Sequence, residues 1–376
     1  MRTLNRAFLA AGAAVCAFTP ALASAQTADL SAPLAIEDVR HALTRTSFGA
    51  SPSDLGAYVG QPRSVLVEGI LDDITAADTQ PRPAFTEEWP VPVELLFAKS
   101  ETLGELAIGQ QYINLGELST WWMVEMMNSD SPFKEQVAMF WMDHFVTSFV
   151  NHEDSQMTAA KFQTVRDLMG GNFKDLLAAQ LRDPSMLYYL NNIENTAEAP
   201  NENLGRELLE LFTLGQGRGY TEADIRDVSR ALTGATVDAD NQYIFLSSDH
   251  DAGTKTIFGQ SGTFTPDDLP QLIMSQDAFG PYIVEKLWKY LVSTQPDPAQ
   301  VAEITAKWKA SDWDLPTLYR GVLESQGFWD AANHGTLVKS PMELYIGFAR
   351  TFGTAPPYVA DFYDLSLDGG QEAFMP

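Results

Sequence analysis

Helix-starting dipeptides recur along the chain, and they constrain its fold more than any other feature of the sequence. A serine or aspartate stands directly before a proline at Ser51-Pro52, Ser131-Pro132, Asp183-Pro184, Asp297-Pro298 and Ser340-Pro341. Ser and Asp side chains accept hydrogen bonds from the free N–H groups of a first helical turn, and proline fits the first helical position because its missing N–H is not needed there. The sequence therefore predicts a mainly α, multi-helical globular domain.

One region departs from this helical pattern. Short β-type runs at 243–246 and 256–258 flank a polar turn at 247–253, which predicts a small β-hairpin excursion near 241–265. His250 and Asp251 lie in that turn and are both capable of binding a metal ion. Asp is also an ordinary turn former, so a metal site and a plain turn remain alternatives.

The N-terminus has the pattern of an export signal. Arg2 and Arg6 precede an apolar run, and Ala23-Ser24-Ala25 stands before Gln26 as a cleavage site. We therefore predict a signal peptide over 1–25 and a periplasmic or secreted mature protein over 26–376. The only cysteine, Cys16, lies in the leader. The mature chain would have no thiol, which excludes disulfides, cysteine nucleophiles and cysteine-based metal sites.

Charge and hydropathy narrow the choice of partners. The formal net charge is −26, and no stripe of Lys and Arg interrupts it, which argues against nucleic acid and anionic membrane surfaces as partners. No second apolar run is long enough to span a bilayer, so we expect no membrane span in the mature chain. Four prolines between 81 and 92 predict a loop over 76–92, which could join two lobes of the domain.

The run from Pro200 to Gly215 is predicted to be one amphipathic helix. Its repeat of apolar residues places Leu204, Leu208, Leu211 and Phe212 on one side. Gly215 can take the left-handed conformation that ends a helix.

Two acids stand one turn apart on the other side of this helix. Glu207 and Glu210 share a narrow stripe with Arg206 at its edge. On one interpretation this is a solvated face, in which Arg206 and Glu210 form a pair contributing roughly 0.2–0.5 kcal/mol. On the other, the carboxylates line a cleft as metal ligands or as a proton-exchanging pair, because like charges held close shift each other's pKa values. The spacing alone does not separate these alternatives.

A histidine is predicted to point inward from the helix that starts at Pro132. Phe133, Val137, Phe140 and His144 lie on one face of it. His144 is therefore either a core residue with a satisfied hydrogen bond, or a metal ligand or general base, since imidazole titrates near neutrality.

Several landmarks together resemble the bacterial "domain of unknown function 1800" family. They occur in family order from about residue 36 to the C-terminus: Ser47-Phe48-Gly49-Ala50, Phe140-Trp141-Met142-Asp143-His144-Phe145, 199–203 with 206–215, 220–224 with 230–234, His250-Asp251-Ala252-Gly253-Thr254-Lys255 and Lys339-Ser340-Pro341. The resemblance implies an exported, mostly helical protein without a settled biochemical role. It also implies, as a partner, a second exported protein of the alkaline-phosphatase and sulfatase group.

The chain departs from the family pattern at two places. Family members often read Trp-His-x-His-Phe, whereas this chain has Met142 and Asp143 between Trp141 and His144, which puts in question any site that needs both histidines. Members usually continue past a Gly-Gln segment into Pro-Pro-x-Val-x-Gly-Trp, but this chain ends at 376. We therefore expect that the C-terminal part of the family domain is missing here.

Two hypotheses about function follow. In the first, the protein is an extracytoplasmic hydrolase that relies on carboxylate and imidazole chemistry or on a divalent cation, because a thiol-free site has few other options. Its catalytic residues would be Glu207, Glu210, His144 and Arg206, and its metal ligands His250, Asp251 and Glu207. In the second, the protein is a non-enzymatic cell-surface, assembly or binding protein, and the same residues form a buried polar network that stabilises the fold.

Overall fold

The chain folds into a mainly helical body, seen here in a computed structural model that describes residues 27–87, 99–354 and 366–375. The helices of the first half are α1 (Ile36–Thr46), α2 (Pro52–Tyr58), α3 (Arg63–Asp72), α4 (Glu101–Asn128), α5 (Pro132–His144), α6 (Ser155–Leu168), α7 (Phe173–Gln180) and α8 (Pro184–Tyr189). The later helices are α9 (Asn203–Glu207), α10 (Glu222–Ala231), α11 (Leu269–Met274), α12 (Phe279–Leu291), α13 (Pro298–Ala310), α14 (Leu315–Leu323), α15 (Gln326–Trp329) and α16 (Pro341–Phe352). The predicted mainly α class is confirmed.

The helix starts lie where the capping dipeptides predict them. The Ser51 and Ser340 hydroxyls each accept a hydrogen bond from the third N–H of their helix, and the Asp183 carboxylate does the same for α8. Ser131 is different: its side chain makes no capping hydrogen bond, although Pro132 still opens α5. The end of α5 lies at His144.

The β excursion contains two small antiparallel ribbons. Strand β1 (Ala235–Val237) pairs with β2 (Tyr243–Phe245), and β3 (Lys255–Ile257) pairs with β4 (Gln260–Gly262). The runs at 243–246 and 256–258 were expected to form one hairpin around the turn, but they do not pair with each other. Each pairs with its nearer neighbour in sequence, because a short connection costs less chain entropy to close.

The predicted helix over 200–215 changes its winding in the middle. After α9 the chain forms a π-helical segment, Leu208–Thr213, which we call the π-turn. The wider turn rotates the following residues, so Leu209 is fully buried and Leu211 is 47% exposed. The prediction that Leu211 packs on the apolar side was wrong, because it assumed 3.6 residues per turn throughout. Gly215 takes the expected left-handed conformation, with φ of 92°.

The buried apolar side chains form one continuous core. It extends from Ala28 to Phe374 and includes Trp141, Trp288 and Trp308, each almost completely inaccessible to solvent. None of the helices in the described ranges has the length and hydropathy needed to cross a bilayer. The predicted signal peptide and residues 88–92 of the predicted loop 76–92 lie outside the described residues.

A buried ionic network connects the first residues of that loop to the core. Arg166 contacts Glu135 at 2.5 Å and Asp78 at 2.8 Å, and Lys134 contacts Asp78 at 2.9 Å. The indole N–H of Trp122 donates to Glu135 at 2.8 Å. Burial raises the pKa of Glu135, while the neighbouring cations act in the opposite direction. Since each charge has an opposite partner, the network holds residues 76–80 against α4, α5 and α6.

Candidate functional site

The glutamates predicted to be catalytic lie beside a crowded arginine. Arg206 contacts Glu202 at 3.2 Å, Glu210 at 3.3 Å and Glu222 at 2.9 Å. These bonds, with Glu222 foremost, raise the pKa of Arg206. Glu207 has no ion pair of this kind, and burial, followed by the nearby charge of Glu210, raises its pKa. The cluster is partly open to solvent and its one cation is saturated with carboxylates.

His144 lies behind the π-turn, in the aromatic core. Its Nε2 lies 3.0 Å from the carbonyl oxygen of Phe212, the last-but-one residue of the π-turn. Because a carbonyl only accepts, Nε2 carries the proton and Nδ1 carries the lone pair. Nδ1 is buried without a hydrogen-bond partner. Burial lowers the pKa of His144 well below its ordinary value, with Lys286 acting in the same direction.

The π-turn gains further bonds from α12. The Tyr282 hydroxyl donates to the carbonyl of Leu211 at 2.8 Å, and the Lys286 ammonium lies 3.4 Å from the same oxygen. Helix ends leave carbonyl groups without backbone partners, and side chains commonly supply the missing donors. Together with His144, these side chains cap the C-terminal end of the π-turn.

His250 and Asp251 are held by α10. The Nδ1 atom of His250 lies 2.9 Å from the carbonyl of Thr233. The Asp251 carboxylate accepts from Nε of Arg230 at 2.6 Å and from the N–H of Gly253 at 2.8 Å. Arg230 is the main reason why the pKa of Asp251 is lowered. The carboxylate that was predicted as a metal ligand is therefore occupied by a guanidinium.

The predicted residues have separate sets of partners: Glu210 pairs with Arg206, His144 with the Phe212 carbonyl, and Asp251 with Arg230. Among the described residues, no hydrogen bond or ion pair joins Glu207 or Glu210 to His144, His250 or Asp251. Across the same ranges, no group of three or more His, Cys, Asp or Glu side chains is placed to hold a metal ion. His144 contacts the π-turn through the Phe212 carbonyl and through the Phe212 ring, whose centroid lies 6.2 Å from that of the imidazole.

A different cluster of polar side chains lines a cavity of about 460 Å³ between α1 and the loop before α16. We call it the basic pocket. Its lining residues are Glu37, Arg40, His41, Thr44, Arg45, Asn333, His334, Gly335, Leu337 and Lys339. Three basic side chains and one carboxylate line this cavity, in a chain whose formal net charge is −26.

Helix α1 supplies half of the pocket from one stripe. Glu37, Arg40, His41, Thr44 and Arg45 are spaced three or four residues apart, so they lie on one helical face. The opposite stripe, which includes Val39 and Ala42, is buried in the core. The apolar repeat of α1 thus fixes which side chains face the cavity.

Two histidine rings meet in the basic pocket. The rings of His41 and His334 are stacked with centroids 4.1 Å apart and planes 13° from parallel. Burial, then the neighbouring His334, lowers the pKa of His41 to about 4, although a hydrogen bond to the backbone of Phe328 opposes the shift. Nε2 of His41 is buried and has no partner among the residues that the structure describes, so the nitrogen bonded to Phe328 is Nδ1. Neutral His41 therefore offers a lone pair at Nε2.

The cations of the pocket are held by the core to different degrees. Arg45 donates to the carbonyl of Tyr290 and lies 3.9 Å from Glu343, yet its Nε has no partner. Lys339 donates to the carbonyl of Phe48 at 2.7 Å, and burial lowers its pKa. Arg40 is exposed. The pocket therefore presents an exposed guanidinium from Arg40 and, from Arg45 and Lys339, donors that are held by the core.

Sequence reasoning did not identify this pocket, although part of its signal was present. Ser47–Ala50 and Lys339–Pro341 were noted as separate landmarks, and the Lys339–Phe48 hydrogen bond brings them together. The polar stripe of α1 contains three basic or imidazole side chains in an acidic chain, and this was the feature of the sequence that could have indicated the basic pocket. The pairing of α1 with a loop about 300 residues later was not readable from the sequence.

Comparison with known proteins gives a family and no function. The family model described as "Protein of unknown function (DUF1800)" matches residues 41–376. No curated protein and no solved structure matches the chain.

Proposed function

Because this chain belongs to the DUF1800 family, whose description is that of proteins of unknown function, we propose a function from the geometry of the basic pocket. The protein binds a small oxyanion that carries an exchangeable proton, of the hydrogen phosphate kind. The observation that carries the proposal is the buried, unpartnered Nε2 of His41 beside three cations. Buried polar atoms are nearly always hydrogen-bonded, so one left open in a cavity points to a ligand.

The two halves of the pocket recognise different parts of such a ligand. Arg40 and Arg45 can bind anionic oxygens, for which guanidinium is the preferred partner in proteins. The lone pair of His41 accepts a hydrogen bond, so it favours a ligand with an O–H group over one without. Hydrogen phosphate has this group at neutral pH and sulfate does not. The site should therefore prefer phosphate.

Calorimetric titration with inorganic phosphate and with sulfate at pH 7.5 tests the proposal. We expect Arg40→Gln to weaken phosphate binding about tenfold, since a charge-assisted hydrogen bond contributes roughly 1.5–3 kcal/mol and 1.4 kcal/mol is a factor of ten. Arg226→Gln removes the same charge from an exposed position on α10 and should leave the affinity unchanged. Equal affinities for phosphate in the two variants would overturn the proposal.

The His41→Gln variant tests the source of the selectivity. It should still bind phosphate but lose the preference over sulfate, because the amide can donate as well as accept. In the unmodified protein the preference should shrink as the pH falls toward 5, where a bound anion favours protonation of His41. A preference that persists in His41→Gln would show that the imidazole does not set it.

The hydrolase hypothesis remains a second candidate, and one observation favours it. The pKa of Glu207 is raised by burial and by Glu210, which is how neighbouring carboxylates divide the roles of acid and base. Glu207→Gln and Glu210→Gln, assayed on phosphate esters, sulfate esters and glycosides alongside metal analysis, test it. Retained activity in both variants would remove these residues from the mechanism.

The non-enzymatic alternative is supported by the partners of the predicted residues. His144 bonds to the π-turn backbone, and Asp251 bonds to Arg230, so both have a structural explanation. We infer that they stabilise the fold while the basic pocket binds the ligand. This combines the predicted binding role with a site that was not predicted.

We also propose that the protein works outside the cytoplasm. The pattern of residues 1–25 supports cleavage after Ala25, and the mass of the mature protein recovered from the periplasm or medium would test it. A second exported protein of the alkaline-phosphatase and sulfatase group stays a predicted partner. Enzymes of that kind release phosphate or sulfate, and a phosphate-selective pocket would suit a protein that receives such a product.

A further inference from the structure

A second cavity, of about 650 Å³, lies on the other side of the α16 N-terminus. We call it the apolar cavity. Its lining residues are Trp122, Met139, Met142, Asp143, Val146, Thr147, Met342, Leu367, Gly370, Gln371, Glu372, Ala373, Phe374 and Met375. Its size is within the range of cavities that hold small organic ligands. It shares no lining residue with the basic pocket.

One wall is a second apolar stripe of α5 and the residues after it. Met139, Met142, Asp143 and Val146 follow the spacing of one helical face. The core-facing side of α5, with Phe140 and His144, is separate and already packed. Helix α5 therefore has apolar side chains on two sides, and the second side faces the apolar cavity.

The opposite wall is held in place by backbone contacts. The side chain of Gln371 accepts from the N–H of Met342 at 2.9 Å, and the carbonyl of Phe374 accepts from the N–H of Phe149 at 3.0 Å. The Phe374 ring stacks on Trp122 with centroids 5.4 Å apart. These contacts fix a wall of aromatic and thioether groups opposite α5.

The charges that line this cavity have one sign. Asp143 and Glu372 line it, and among the described residues none of its lining side chains is Lys, Arg or His. Lys286 is near enough to Asp143 to interact with its charge, but it does not line the cavity. Asp143 is exposed at the edge. Thioether side chains are flexible and polarisable, so four methionines around one cavity can adapt to ligands of different shape.

We propose that the apolar cavity binds a small amphiphilic cation, an alkyl or aryl ammonium whose apolar body contacts the methionines and whose positive charge lies beside Asp143. Each buried methylene of such a ligand contributes about 0.8 kcal/mol, and the carboxylates select the sign of its head group. A neutral ligand of the same shape gains only the first contribution. An anionic one is repelled.

Titration with octylammonium, octanol and octyl sulfate, followed by calorimetry, tests this proposal. We expect one octylammonium per chain, bound at least tenfold more tightly than octyl sulfate, since a favourable and an unfavourable charge contact of about 1 kcal/mol each separate the two. Octanol should fall between them. Equal affinity for the cation and the anion would overturn the proposal.

Variants separate the cavity from the general negative charge of the chain. Asp143→Asn should weaken octylammonium binding about three- to tenfold, because one carboxylate contact near the surface is lost. Asp277→Asn removes the same charge from an exposed position outside the cavity and should have no effect. Met142→Lys should abolish the single binding event. Binding that survives Met142→Lys in a folded protein, judged by circular dichroism, would show that the cation binds elsewhere.

Discussion

The charged groups beside the π-turn and those of the basic pocket differ in how many of their polar atoms have hydrogen-bond or ion-pair partners. Beside the π-turn, Arg206 is surrounded by three carboxylates. In the basic pocket, His41 and Arg45 keep buried nitrogen atoms without any partner. The first region has the denser clustering of charge and attracts attention in the sequence. In the basic pocket, the nitrogen atoms without a partner belong to side chains that line a cavity, whereas Nδ1 of His144, behind the π-turn, is enclosed by the core. Unsatisfied groups in a cavity are better evidence of ligand binding than charge density is.

The largest expected effect tests which side chains of the π-turn are packed in the core. Leu209→Ala should lower the free energy of unfolding by about 2–5 kcal/mol, since it empties a fully buried site. Leu211→Ala should change it by less than about 0.5 kcal/mol, because that side chain is half exposed. Urea denaturation measures both. If this segment were a regular α-helix, Leu211 would be buried and Leu211→Ala would lower the free energy of unfolding much more. The pair of variants therefore distinguishes a π-helical segment from an α-helical one.

The next effect tests the basic pocket through its histidine. The pKa of His41 is lowered to about 4 in the folded protein from an ordinary value of 6.5, so the unfolded chain binds more protons between those values. The stability contributed by neutral His41 is complete above pH 6.5 and is lost as the pH falls toward 4, by about 3 kcal/mol.

Melting temperatures recorded from pH 7.5 to 4 check this. His152, whose pKa burial also lowers to about 4, contributes to the same fall. His41→Gln should therefore flatten the profile without removing its slope. An unchanged profile in that variant would place the open nitrogen of His41 in contact with water rather than in a dry pocket.

A smaller effect is expected at the loop that was predicted to bind metal. Asp251→Asn should destabilise the protein by about 1–2 kcal/mol, because a charge-assisted bond to Arg230 is lost from a partly exposed site. Phosphate affinity and metal content should not change. A loss of bound divalent cation in this variant, measured by elemental analysis, would instead support the predicted metal site.

The smallest effect concerns Glu207. Its raised pKa means that the folded protein disfavours the charged form, so this group costs stability as the pH rises through its carboxylate range. Glu207→Gln should therefore raise the free energy of unfolding at pH 7.5 slightly, by at most about 0.5 kcal/mol. Thermal unfolding at pH 7.5 and pH 4 measures it, and the gain should vanish at the lower pH. If the variant is less stable at pH 7.5, the carboxylate has a partner that holds it charged.

Local chemistry explains which parts of the fold were predictable. The starts at Pro52, Pro184 and Pro341 depend on a cap and a proline within one turn, so the sequence contains the whole cause. The exposure of Leu211 depends on the π-turn, and the carbonyls that this turn frees are satisfied by Tyr282 and His144 from elsewhere in the chain. Local periodicity could not anticipate those partners.

The candidate site was predictable only in fragments. The inward position of His144 was confirmed, with 2% of the side chain exposed, since it follows from helical spacing alone. The partners of a side chain do not follow from spacing. The convergence of Arg40 and His41 with His334 and Lys339 required the folded chain, because the two groups come from opposite ends of it.

The first turn of α16 separates the basic pocket from the apolar cavity, and the charged side chains that line these two sites are mainly of opposite sign. Lys339, just before the turn, faces the basic pocket, and Met342, within it, faces the apolar cavity. The capping bond from the Glu343 N–H to Ser340 keeps these residues on one rigid piece of backbone. We therefore expect that a ligand which displaces this backbone in one cavity also changes the shape of the other, so that binding at the two sites is coupled.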